Sequence, residues 1–142
     1  MIDKWIPLDV FQSVVFDYCD GNDQINLKKI FYDGKLQITD LLYVDDCVKK
    51  KLCDDSLKHY PRLKRLDASS NELITDCGIR GLGLRALDAR HNPMITDKGI
   101  QGMNLHTLYA SFNPLITDRG IQGMNLHTLY ASNDSSITDR GI

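Results

Sequence analysis

Four successive stretches of the chain carry one pattern at a shift of 21 residues: LKRLDASSNELITDCGIRGLG from Leu63, LRALDARHNPMITDKGIQGMN from Leu84, LHTLYASFNPLITDRGIQGMN from Leu105 and LHTLYASNDSSITDRGI from Leu126. A unit this short cannot bury an apolar face by itself, so each copy must cover its apolar edge with the copies before and after it. The skeleton is L-x-x-L-x-A-x-x-N-x-x-I-T-D-x-G-I-x-G-M/L. Leu at positions one and four and Ala at position six alternate with outward residues as a half-buried strand requires, which gives one strand per repeat. The Asn at position nine (Asn71, Asn92, Asn113) falls where the chain turns off the strand. Its amide can satisfy backbone groups of neighbouring coils that the turn leaves unpaired, forming a ladder. Ile at position twelve is expected in the core. Thr-Asp then offers an oxygen to the first free N–H groups of a short helix, with the Asp read as a helix cap. Gly at positions sixteen and nineteen is expected to let that helix press close to the strand layer.

This skeleton resembles the leucine-rich repeat, a strand of L-x-x-L-x-L followed by Asn or Cys and then a short helix or helical turn. The resemblance implies an α/β solenoid with parallel strands on a concave face and short helices on a convex face. I-T-D-x-G-I looks like the helical side of the cysteine-containing repeats of F-box proteins, although those repeats are longer and usually carry Cys where this one has Asn. Ala68, Ala89, Ala110 and Ala131 stand where the usual pattern has Leu, which thins each coil and suits a 21-residue turn. The repeats divide as 63–83, 84–104, 105–125 and an incomplete 126–142. In the last, Asn133-Asp134-Ser135-Ser136 replaces Phe-Asn-Pro-Leu, placing Asp134 in the Asn column and polar residues at the open end of the stack.

Before Leu63 the period weakens. LCDDSLKHYPRL, from Leu52, reads as the helix and return of a longer cysteine-type repeat, with Asp54 or Asp55 starting the helix and Tyr60-Pro61 turning into the next strand. Working backward, Leu42 and Val44 are expected as strand residues and Cys47 as the turn-position cysteine, an irregular unit within 38–62. A rival register aligns LKKIFYDGKLQITD, from Leu27, with LKRLDASSNELITD, but it leaves no room for a helix before LLYV. Residues 1–37 are expected to form a helical N-terminal cap. Val10, Phe11, Val14, Val15 and Tyr18 lie at helical spacing, Asp20-Gly21-Asn22-Asp23 breaks the pattern, and Ile25, Leu27, Ile30 and Phe31 resume it, indicating two helices. The succession I-P-L-D-V-F, V-V, Y-C-D and D-Q-I-N-L-K-K-I resembles the first half of an F-box, without the usual third helix. Together with the repeats it is similar to the F-box and leucine-rich-repeat proteins of large DNA viruses of amoebae. This resemblance implies recruitment of a Skp1-type adaptor of a ubiquitin ligase through Ile6, Pro7, Leu8, Val10 and Phe11. The alternative is that the helical pair only covers the apolar end of the stack, as terminal caps must.

Composition narrows the function classes. A formal charge of −2 over 142 residues gives no global field for nucleic acid or membrane surfaces, so neither is an expected partner. Residues 1–26 are acidic, with Asp3, Asp9, Asp17, Asp20 and Asp23 against Lys4 alone, whereas from Leu63 onward eight basic residues balance eight acidic ones. MIDKWIPLD lacks the basic patch and apolar run of a secretory signal, and no stretch is long enough to span a bilayer. The expected location is intracellular: cytoplasmic, or the host cytoplasm for a viral protein. Cys19, Cys47, Cys53 and Cys77 show no metal-ligand spacing and read as reduced thiols.

The positions expected to face outward on the concave side are two, three, five, seven and eight. They read Lys64, Arg65, Asp67, Ser69, Ser70; Arg85, Ala86, Asp88, Arg90, His91; His106, Thr107, Tyr109, Ser111, Phe112; and His127, Thr128, Tyr130, Ser132, Asn133. This surface grades from basic to aromatic, and large aromatic side chains supply binding area at little cost in rotamer entropy. A non-enzymatic protein-binding role follows, with Lys64, Arg65, Arg85, Arg90, His106, Tyr109, Phe112, His127 and Tyr130 as the contact residues. An adaptor-recruiting substrate receptor and a self-associating structural repeat are the alternatives, and the oligomeric state is open. Duplication alone would also stack His106 over His127 and Tyr109 over Tyr130, since neighbouring strands lie about 4.8 Å apart. Two histidines without further ligands make no metal site. No cofactor is expected, and no nucleophile, base and orienting group converge as catalysis requires.

Overall fold

The computed structural model describes residues 29–32, 35–38, 40–41, 49–133 and 136–141. In chain order the elements are β1 (Lys29–Tyr32), β2 (Lys35–Ile38), β3 (Asp40–Leu41), α1 (Asp54–Leu57), β4 (Arg65–Asp67), α2 (Asp76–Ile79), β5 (Ala86–Asp88), α3 (Asp97–Ile100), β6 (Thr107–Tyr109), α4 (Asp118–Ile121) and β7 (Thr128–Tyr130). Strands β3 to β7 form one sheet in sequence order, every pair parallel. Strand and helix alternate along the chain, so the architecture is an α/β, solenoid-like stack of coils. No helix among the described residues is long and apolar enough to cross a membrane.

The core follows the repeat columns. Leu63, Leu84 and Leu105 at position one, Leu66, Leu87 and Leu108 at four, Ile74, Ile95 and Ile116 at twelve, and Ile79, Ile100 and Ile121 at seventeen are all buried in a single cluster. Each such side chain contributes about 2 kcal/mol on leaving water. Ala68, Ala89 and Ala110 lie beneath them without exposure, as the narrow coil anticipated. The Asn column forms its ladder. Asn92 donates to Ala68 O at 2.9 Å and Ile74 O at 3.3 Å in the preceding coil, while its Oδ1 accepts from Met94 N at 2.8 Å and Ile95 N at 2.9 Å. Asn113 repeats this toward Ala89 and Ile95, and Asn71 toward Lys49 and Leu52.

Two roles read from the repeat need correction. The helix cap is Thr alone: Thr75, Thr96 and Thr117 accept from the N–H two residues ahead. The following Asp belongs to the next coil's stability. Asp76 Oδ1 accepts from Thr96 N and its Oδ2 from Thr96 Oγ1, each at 2.7 Å. Asp54 holds Thr75, Asp97 holds Thr117 and Asp118 holds Thr138 in the same way. The glycine at sixteen makes room for this clasp rather than for contact with the strands. A Cβ on Gly99 would lie 2.3 Å from Asp76 Oδ1, and one on Gly120 2.3 Å from Asp97 Oδ1. The glycine at nineteen has a third reason: Gly81, Gly102 and Gly123 have φ of 84°, 77° and 77° with open space around them. They reverse the chain just past the helix, where a left-handed residue is needed.

The leading segment also departs from expectation. Asp40 pairs with Arg65 and Leu41 with Leu66, so the residue opposite the core position Leu66 is Leu41, one out of step with a strand reading through Leu42 and Val44. Residues Leu42, Val44 and Cys47 themselves lie outside the described residues. Ile30 and Phe31, expected in a second helix, are in β1, which pairs antiparallel with β2. The stretch from Leu27 is therefore not an extra parallel coil either. The rest of the expected helical cap, 1–28, lies outside the described residues. Helix α1 does begin at Asp54, with Cys53 in the Thr column and the Ser56 hydroxyl accepting from its N–H at 3.4 Å.

Candidate functional site

The outer face of the sheet gathers most of the side chains expected to bind. Position two lies one residue before each strand and forms a row along the strand entrances. Lys64, Arg85 and His127 are exposed and His106 is half-buried. The row is physically continuous: Arg85 Nη1 lies 2.9 Å from His106 Nε2, and the His106 and His127 rings are 5.0 Å apart. Because guanidinium only donates, His106 Nε2 is the accepting atom of this contact. Lys64 Nζ donates to Gly83 O at 3.1 Å.

Position five closes each strand. Tyr109 and Tyr130 stack with centroids 4.9 Å apart and planes 1° from parallel, because β6 and β7 hold them in exact register. The Arg90 guanidinium carbon lies over the Tyr109 ring, 5.4 Å from its centroid. Tyr130 is 55% exposed. At position eight His91 and Phe112 form a second stack, 4.5 Å apart with planes 12° from parallel. Their backbones, like those of Ser70 and Asn133, are left-handed, with φ between 52° and 59°. The turn off each strand therefore carries a conformation that costs a non-glycine residue about 1 kcal/mol.

Four expected outward positions are not free surface, Ala86 at position three among them. Asp88 is buried, accepting from Arg90 Nη2 at 2.6 Å, and this hydrogen bond holds the Arg90 guanidinium further in its charged form. Ser69 and Ser111 at position seven are also buried. Their hydroxyls are spent on the turn, Ser69 on Asp67 at 2.6 Å and Ser111 on Ser132 at 3.0 Å. Arg65 is half-buried, and Lys49 lies 3.5 Å from Asp67. Both acids of the face thus have cationic neighbours. The adaptor-binding residues Ile6, Pro7, Leu8, Val10 and Phe11 lie outside the described residues.

A feature without an assigned role in the repeat is position eleven. Leu73, Met94 and Leu115 are 53%, 44% and 42% exposed, an apolar row beside the exit of the strands. The column is apolar in the first three copies and Ser136 in the fourth, but spacing alone does not say that it stays exposed between the inward Asn and Ile columns. Among the described residues no group of three or more His, Cys, Asp or Glu is placed to hold a metal ion, and Cys53 and Cys77 are free thiols. What the face offers chemically is N–H and O–H donors, ring edges and apolar area. The chain matches no known protein-family model, and no curated protein sequence matches it.

Proposed function

We propose that this chain is a non-enzymatic leucine-rich-repeat solenoid that binds another protein inside the cell. The sheet forms its concave side, the short helices form its convex side, and the contact residues are Lys64, Arg65, Arg85, Arg90, His106, Tyr109, Phe112, His127 and Tyr130. The observation that carries this reading is the Tyr109–Tyr130 stack. Two rings fixed by register present a rigid anchor that loses little entropy on binding, the composition in which binding energy concentrates.

The test is site-specific photo-crosslinking. A benzoylphenylalanine placed at Thr128, on the strand face, is expected to capture a discrete protein in cell extract, whereas one at Arg119, on the helix face, captures none. Purified with that protein, Tyr109→Ala then lowers affinity by more than about 1 kcal/mol. Crosslinks only from Arg119, or from neither position, remove this reading.

A further inference from the structure

We infer that the strand face selects an acidic polypeptide segment, an inference that rests on the protein-binding reading and specifies its partner. The row Lys64, Arg85, His106 and His127 contains only N–H-bearing basic side chains, and no carboxylate occupies its column. Lys64 and Arg85 spend their heads on neutral acceptors, the Gly83 carbonyl and the His106 ring. Neither meets a carboxylate among the described residues. The acids at position five are already answered: Asp88, itself buried, by Arg90 at 2.6 Å, and Asp67 by Lys49 at 3.5 Å. Positive charge therefore stands uncompensated along the strand entrances of a chain whose total is −2.

The aromatic columns favour the same partner. An aromatic ring is electron-rich on its faces and positive at its edge. Here several faces are occupied: Tyr109 stacks on Tyr130 and has the Arg90 guanidinium over its ring, and His91 lies against Phe112. Tyr109 and Tyr130 donate no hydroxyl hydrogen bond to any described residue, so two phenol donors are available to an acceptor. Carboxylates match such donors and the row of basic groups about 10 Å away, three residues along the strand at about 3.3 Å each. A single-stranded nucleic acid would instead need open ring faces on which its bases could stack. Stacking within the protein has taken faces of Tyr109, Tyr130, His91 and Phe112.

The experiment measures fluorescence anisotropy of the full chain with a labelled oligoglutamate of about ten residues, long enough to span four strands spaced about 4.8 Å apart. Oligoglutamine and oligouridylate of equal length serve as comparisons. Oligoglutamate is expected to bind, to weaken as salt rises from about 50 to about 500 mM, and to exceed both comparisons. Lys64→Gln with Arg85→Gln lowers its affinity about tenfold, whereas Lys98→Gln with Arg119→Gln on the helix face leaves it unchanged. Lys64→Arg with Arg85→Lys keeps binding, separating charge from any disturbance of the coil. No binding of oligoglutamate, an equal loss from the helix-face pair, or tighter binding of oligouridylate overturns the inference. A Thr128 crosslink that persists while oligoglutamate fails to bind discards the acidic partner and leaves the protein-binding reading standing.

Discussion

Gly99 shows how one residue serves a neighbour a whole coil away. It has an ordinary backbone angle, so its lack of a side chain is not a matter of conformation. The carboxylate of Asp76 fills the space its Cβ would need, 2.3 Å from Oδ1. Gly99→Ala is expected to cost about 2 kcal/mol, because either the clasp on Thr96 opens or the overpacked coil shifts. In an Asp76→Ala background the same change costs much less, and the double-mutant cycle read from urea midpoints gives a coupling above about 1 kcal/mol. Independent costs would show that Gly99 answers to something other than Asp76. Gly102 offers a contrast, since its φ of 77° in open space makes its requirement purely conformational.

At the scale of elements, helices of four residues are too short to hold themselves. Helices α2 to α4 are each fixed by a Thr cap, and all four by the line of bonds to the next coil. Asp76 N donates to Met94 O at 3.3 Å and Asp97 N to Leu115 O at 3.1 Å, beside the side-chain clasps. The last clasp of this layer favours an ionised carboxyl. The hydroxyl and backbone N–H of Thr138 both donate to Asp118 and hold its carboxyl below the usual carboxylate range. A depressed folded-state value means the contribution is fully present above the unfolded carboxylate range and is lost as pH falls through the folded value. The urea midpoint should therefore decline on acidification below about pH 4. Asp118→Asn, which cannot accept both donors as a carboxylate does, should show a shallower decline over that window. An identical acid profile for the two proteins would remove the Asp118 clasp as a source of acid sensitivity.

For the whole molecule, stability is a sum of coils and of the interfaces between successive coils. The coil 105–125 pairs in one register with its neighbours on both sides: Leu108 faces Leu87 and Leu129. Inserting a second copy of 105–125 after Asn125 adds one coil and one more interface of a kind already present. The variant is expected to unfold at a higher urea midpoint and with a larger m-value, since more surface is exposed on unfolding. A lower midpoint would show that the stack is not built from interchangeable nearest-neighbour contacts. The added coil also adds a His, a Tyr and a Phe to the strand-face columns, so it lengthens the candidate face together with the core.

The sequence alone settled the period, the inward Leu, Ala and Ile columns and the Asn ladder. Each of these follows from a recurring residue type whose partner is the backbone or the shared apolar interior. A pattern in one dimension reports such needs directly. It did not reveal that the Asp of I-T-D clasps the next coil's Thr, or that Gly99 and its counterparts yield space to that carboxylate. Those contacts join side chains of two copies, and an identical repeat looks the same whether a group bonds within its own coil or to its neighbour. Tertiary structure likewise decided that Asp88 and Ser111 sink into the turn while Leu73, Met94 and Leu115 stay exposed. Alternation assigns faces only where the backbone is extended, so it does not reach Ser111 or position eleven beyond the strand, whereas Asp88, still within β5, is buried with its carboxylate bonded to Arg90. The first strand is the same lesson in register: with no clear repeat before Leu63, only its pairing with β4 could place Leu41 opposite Leu66.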